Sequence, residues 1–188
     1  MKNGLMTITR APAETDRRML SDDFETVVRE HQRQIYRILC LLLHNRDEAD
    51  TLTQECFLRA YARRNDFRGE AAVGTWLVRI AVNLAQDQIK SRRSSFWRRL
   101  LRGKNTEAQA VADRRHSQED AVLASERTAT IWAAVERLSL RQRAVFTLRF
   151  AEEMPLREIA RVMKLRQGTV KAHLWAAIHA VRRVMIDE

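Results

Sequence analysis

Thr169, Lys171, His173 and Trp175 are the residues best suited to chemistry with a nucleic acid. A hydroxyl and an ammonium can hold phosphate oxygens, while an imidazole or an indole can reach a base edge. All but Thr169, which opens the helix, lie off an apolar stripe of Val170, Leu174, Ala177 and Ile178, whose helical spacing puts side chains on one face. Just upstream, Ile159, Ala160 and Met163 form a second stripe of the same kind. Only Lys164 to Gln167 separate the two, room for no more than a tight corner. Two short helices joined so closely make a helix-turn-helix. Gly168 and Thr169 open its second helix, where a small residue lets the N-terminus approach a phosphate. An ordinary helical hairpin would show the same stripes. The charge balance tips the reading toward DNA, because 188 residues carry a formal net charge of +10 and favour a polyanionic partner.

A second set of polar residues has the opposite sign. Asp47 begins a helix with acid in its first turn, where the macrodipole favours it. Ala49, Leu52, Thr53, Cys56 and Ala60 form that helix's inward stripe, and Asp47, Asp50, Gln54 and Leu58 fall together on another face. Glu48 and Glu55 lie further round. Such a face is either a solvated surface or a docking site for a protein partner carrying arginines. An acidic surface in so basic a chain is a poor place to meet DNA.

The third set is Arg79, Asn83, Gln86, Asp87 and Lys90, recurring along one face of a helix whose other face is Leu77, Ile80, Ala81, Leu84 and Gln88. Arginine and asparagine can read base edges or phosphates. Before this helix runs a loop, Asp66 to Trp76, bracketed by Gly69 and Gly74, with Thr75 able to cap the helix. Beside such a loop these side chains could hold an unstacked base. Asp87 fits an exposed polar face better than a DNA contact.

The elements that must carry these sets are helices. Glycine and proline number 5 and 2, and 31% of residues are charged, a composition suited to helices with many solvated faces. Residues 1–20 carry no periodicity and read as a mobile tail. Ser21 starts a long helix whose stripe includes Phe24, Val27, Val28, His31, Ile35, Ile38, Leu39 and Leu42, with Asn45 closing it. At Ser91 the composition turns basic. SRRSSFWRRLLRGK marks a linker over 93–118, either a loose polybasic tether or a short docking helix built on Phe96, Trp97, Leu100 and Leu101. A second helical unit, 119–188, begins near Glu119 with Val122, Leu123, Ile131, Val135 and Leu138 as apolar positions. Its next helix has Leu140, Val145, Phe146 and Leu148 inside and Arg141, Arg143 and Arg149 outside. Pro155 then fits the first position of the following helix.

Neither a bilayer-spanning run nor a secretory h-region is apparent, so a cytoplasmic location and no membrane insertion are expected. Cys40 and Cys56 fall on buried stripes as structural thiols. Cys40 and His44 have i, i+4 spacing, but no second pair completes a tetrahedral metal set, so neither metal nor cofactor is expected.

Both halves resemble the group IV, extracytoplasmic-function (ECF) sigma factors of bacterial RNA polymerase. DEADTLTQECF is similar to that family's core-polymerase-binding segment, and FRGEAAVGTWLVRIAVNLAQDQIK to its promoter-melting segment. LSLRQRAVFTLRF and EIARVMKLRQGTVKAHL resemble the segment that reads the −35 element. The resemblance spans about residues 21–92 and 119–185. It implies an all-α fold of two small helical domains joined by a flexible basic linker, the first being 21–92. It implies that Asp47, Asp50, Gln54, Glu55 and Leu58 contact core RNA polymerase. Arg68, Arg79, Asn83, Gln86 and Lys90 would bind the −10 strand, and Thr169, Lys171, Ala172, His173, Trp175 and Ala176 the −35 groove. Promoter DNA and an anti-sigma factor are the other implied partners, with no catalytic residue and no small-molecule substrate.

Two departures from the family pattern matter. Lys164 stands where a glycine is usual, a cost of about 1 kcal/mol if its backbone is left-handed. Ala172, Ala176 and Ile178 stand where polar residues or arginine are common, so −35 recognition is expected to lean on backbone contacts and DNA shape. A stand-alone helix-turn-helix regulator is the rival reading, and it leaves the acidic face without a role. A recombinase-like enzyme would need more than Asp47 and Asp50, on which no histidine or third carboxylate converges.

Overall fold

The computed structural model describes residues 23–69, 71–101 and 126–186, with seven α-helices and no strand among them. The expected tail at 1–20, Ser21, Glu119, Val122 and Leu123 lie outside the described residues. Helix α1, Phe24–Leu43, is capped by Asp23, whose carboxylate accepts the Thr26 N–H at 3.1 Å. Val27, Ile35, Ile38, Leu39 and Leu42 bury its stripe as the spacing predicts. The helix ends on His44, which is left-handed with φ 53°. Asn45 does not close α1. Its side-chain oxygen accepts the Glu48 N–H at 2.9 Å and so starts α2, Arg46–Ala62, one residue later.

Ala49, Thr53, Cys56, Phe57 and Ala60 face inward from α2. Burial pushes the Cys56 thiol up to about 12, and Sγ lies 3.6 Å from the Leu77 carbonyl, so this sulfur is a protonated core group. A short 3-10 turn, Arg64–Asp66, leads into the loop. Helix α3 is Val73–Leu101, 29 residues and roughly 44 Å at 1.5 Å per residue. It starts two residues before Thr75, which is buried within it rather than capping it. Gly74 is also helical: a Cβ there would meet His31 Cε1 at 3.2 Å, so its smallness lets α1 and α3 approach. The expected linker, 93–118, begins inside this helix, which continues unbroken through Leu101.

The second half consists of α4 (Glu126–Glu136), α5 (Leu140–Phe150), α6 (Leu156–Met163) and α7 (Gln167–Ile186). Ser139 and Gln142 form a capping box that fixes the start of α5. Pro155 stands one position ahead of its expected place, as the cap whose carbonyl accepts the Glu158 and Ile159 N–H groups. Gln167, expected in the corner, is the first residue of α7.

The two helical units share a core. Ala144, Val145, Leu148, Met154, Ile159, Ala160, Val162 and Val170 belong to the same buried cluster as Ile38, Leu42, Leu77 and Val78 of the first half. Helix α6 lies on α3, and α5 lies on α1. A smaller cluster of Ala134, Val135, Leu138, Phe146, Ala177 and Val181 holds α4 and α7 to α5. The residue expected outside, Arg143, is in this seam. Its guanidinium donates to the Leu42 carbonyl of α1 at 2.8 Å, to the Leu138 carbonyl at 3.3 Å, and to the Glu136 carbonyl. Burial lowers its pKa, and the Glu136 carboxylate opposes that shift. Glu152 closes the other end of the seam, accepting from Gln34 and Arg37 at 2.8 Å each with only 2% of its side chain exposed.

Candidate partner and nucleic-acid surfaces

On α2, Asp47, Asp50, Gln54 and Leu58 are all exposed on one face, Leu58 by 66%. The Gln54 amide donates to Asp50 at 3.3 Å. Neighbouring acids are neutralised within the chain: Glu55 pairs with Arg59 at 2.6 Å, and Glu48 with Arg92 of α3. Asp47 and Asp50 stand exposed beside these pairs. The exposed acidic groups of this face are thus the two aspartates beside Leu58. A groove between α2 and α3 runs along this face, floored by Leu52 and Leu84 with Leu58 at its rim. An exposed leucine beside exposed carboxylates and an apolar groove suits a partner offering both arginines and aliphatic side chains.

On α3, Arg79, Asn83 and Lys90 are exposed and Gln86 is half-buried. Lys90 approaches Asp87 at 4.0 Å, but both are about 70% exposed, so water screens the pair. Phe67 and Trp76, with ring centroids 5.3 Å apart, wall a cleft of about 450 Å³. Arg68 and Arg79 lie on its rim, and Gly69 takes a left-handed φ of 70° at the loop's turn. Asn83, Gln86 and Lys90 are not part of this cleft. Arg161 and Val162, from α6 of the other half, are. No sequence pattern pointed to Arg161, because its place depends on how the halves pack.

The helix-turn-helix has the expected corner. Lys164 is left-handed, φ 52° and ψ 45°, and the Leu165 N–H returns to the Ala160 carbonyl at 2.9 Å. Lys164→Gly is expected to raise stability by about 1 kcal/mol, read as a shift in the urea midpoint at constant slope.

On α7, Thr169, Lys171, Ala172 and Trp175 are exposed. Ala176 and His173 are half-buried, and at 3.6 residues per turn His173 stands roughly 160° round the helix from Trp175. The exposed stripe instead continues through Gly168, His179, Arg182 and Arg183. Extending the off-core spacing of Lys171 and Trp175 by one and two turns would have found them. His179 stacks on Trp175 with ring centroids 4.0 Å apart.

Comparison with known proteins agrees with this arrangement. The Sigma-70 region 2 family matches residues 27–95, and the Sigma-70, region 4 family matches residues 128–177. The ECF RNA polymerase sigma factor SigW of Bacillus subtilis is 31% identical over 170 residues, covering 88% of this chain and 90% of that protein. The RNA polymerase sigma-H factor of Pseudomonas aeruginosa is 30% identical, covering 86% of each. Among solved structures, the sigma factor RpoE from Bartonella quintana, in complex with the anti-sigma factor NepR, superposes with a TM-score of 0.67 at 18% identity. That superposition covers 87% of this chain and 96% of RpoE. CnrH, in complex with the cytosolic domain of CnrY, gives 0.66 at 17% identity over 93% of this chain and 99% of CnrH. An all-α chain with a region 2 unit followed by a helix-turn-helix region 4 unit is the architecture of one class of transcription factor. This chain belongs to the ECF group of sigma-70 family RNA polymerase sigma factors.

Proposed function

We propose that the chain docks on core RNA polymerase through the α2 face and brings two DNA-reading surfaces to a promoter. The observation that carries this reading is the exposure of Asp47 and Asp50 on one face of α2 beside exposed Leu58, in a chain of net charge +10. Gln54 and Glu55 complete that docking face. Arg68 and Arg79, at the aromatic cleft, bind the melted −10 strand and stack a displaced base, while Asn83, Gln86 and Lys90 follow its backbone along α3. Thr169, Lys171, Ala172, Trp175 and Ala176 enter the −35 major groove, and His173 buttresses the helix from its half-buried side. The chain has no chemistry of its own and works in the cytoplasm beside polymerase. Each DNA surface alone binds weakly and with strong salt dependence. Polymerase raises their effective concentration at the promoter.

Occupying two promoter elements at once requires the shared core to separate, and Arg161 then leaves the cleft. An anti-sigma factor would act by holding the units in a state that cannot reach both elements. The acidic face favours this over a stand-alone regulator, which has no use for it. Run-off transcription with sigma-free core polymerase on a matched promoter, with and without the chain, tests the reading. Start-site selection only in its presence is expected, and none with the chain added would overturn it.

Gly168 adds a separate test. A Cβ there meets nothing within 4 Å, so no packing constraint in the chain requires glycine. Gly168→Ala is expected to leave the fold as stable, or about 0.5–1 kcal/mol more so, in thermal melts. It should nonetheless weaken promoter binding severalfold in fluorescence anisotropy, because the added methyl stands between the α7 N-terminus and a phosphate.

A further inference from the structure

Trp175 is 64% exposed at the middle of α7, although Val170, Ala177 and Val181 already bury that helix's other face. Packing within the chain therefore does not account for it. Its ring is not free to swing, because His179, one turn on, stacks against it at 4.0 Å and 47°. A contact at i, i+4 restrains both side chains and holds the indole out from the helix. The turns before it are bare: Gly168 and Ala172 share its stripe and carry at most a methyl group. Lys171 on one side, with Arg182 and Arg183 beyond, supplies exposed positive charge along the same face. The surface is a single apolar blade set in a basic stripe.

The chemistry of the blade limits what it can read. An indole offers one N–H donor, no acceptor and a flat apolar edge. Guanine in the major groove presents two acceptors that call for paired donors, and adenine an acceptor beside a donor. An apolar edge discriminates only the 5-methyl group of thymine, which no other base pair presents there. The cationic residues reach phosphates, which position the helix without selecting sequence.

We infer that Trp175, propped by His179, is the specificity-determining residue of the −35 contact and reads a thymine 5-methyl group. The inference rests on the proposed entry of α7 into the −35 groove. It adds a direct base contact to an otherwise shape-led readout.

The test uses the full chain reconstituted with sigma-free core polymerase. Promoters are selected from a library randomised upstream of the start site, and each selected −35 thymine is then replaced by deoxyuridine, which removes only the methyl. With the native chain, one thymine position is expected to lose about fourfold in binding, the ratio set by burying one methyl group. Trp175→Ala should bind the thymine and uracil promoters equally. As a positioning residue, His179 should give a reduced thymine-to-uracil ratio as His179→Ala and a restored one as His179→Phe, which keeps a ring for the stack. Equal penalties in native and Trp175→Ala holoenzymes, or no sensitive thymine while initiation remains promoter-specific, would overturn the inference and leave the −35 reading standing. Failure to initiate from any library member would instead remove the reading itself, and the inference with it.

Discussion

Arg143→Ala is expected to lower stability by about 3 kcal/mol and to loosen the two halves from each other. The guanidinium reaches three backbone carbonyls at once: Leu42 at the end of α1, and Glu136 and Leu138 around the end of α4. Carbonyls near the ends of helices have no partner within the helix, and leaving a buried one without a donor costs about 1–3 kcal/mol. Water entering the loosened seam recovers part of that, which sets the expected loss near the lower end of the sum. Lysine cannot replace this residue, since a single ammonium lacks the planar fork that spans three acceptors. Two measurements separate a seam effect from a local one. The first is the urea midpoint. The second is fluorescence transfer between labels on Glu30→Cys and Arg137→Cys, both at exposed positions on opposite sides of the seam. Lower stability with an increased distance is the expected pair. Lower stability at constant distance would mean that the guanidinium supports only the α4–α5 junction.

Asp50→Arg is expected to abolish stable association with core polymerase while leaving the fold intact. Asp50 is exposed and accepts a hydrogen bond from the Gln54 amide, and surface changes of this kind stay within about 0.5 kcal/mol of native stability. At a complementary interface the same change replaces attraction with repulsion, which costs several kcal/mol and corresponds to at least roughly a hundredfold in affinity. Co-purification with core polymerase measures this, with Glu30→Arg on α1 as a control reversal that should bind normally. Retained binding of Asp50→Arg would place the docking face elsewhere.

Where the structure departs from the expectations drawn from sequence, the cause differs from place to place. Asn45 follows an apolar stripe and so has the place of a helix end, but capping depends on the direction of its side chain, which periodicity does not encode. Arg143 has the spacing of an outward residue on α5, yet its guanidinium reaches across the packing of the two halves. The surface it meets belongs to α1, 101 residues earlier in the chain. The basic run after Ser91 looks like a tether by composition, yet helix formers and the Arg92–Glu48 pair are compatible with α3 continuing to Leu101. His173 and Trp175 both lie off the narrow core stripe that the spacing defines. The buried sector of α7 is wider than that stripe, since α4, α5 and α6 all pack against it.

The order of residues by itself determined most of the helices and their inward stripes, the tight corner after Met163, and the sign of each exposed face. These follow from local periodicity, turn chemistry and charge, which act over a few residues. Only the tertiary structure decided that the two units share a core, that Arg161 completes the cleft beside Trp76, and that His179 props Trp175 at 4.0 Å. The first two depend on apolar surfaces far apart in the chain finding each other. The third depends on rotamers that the neighbouring helices leave open.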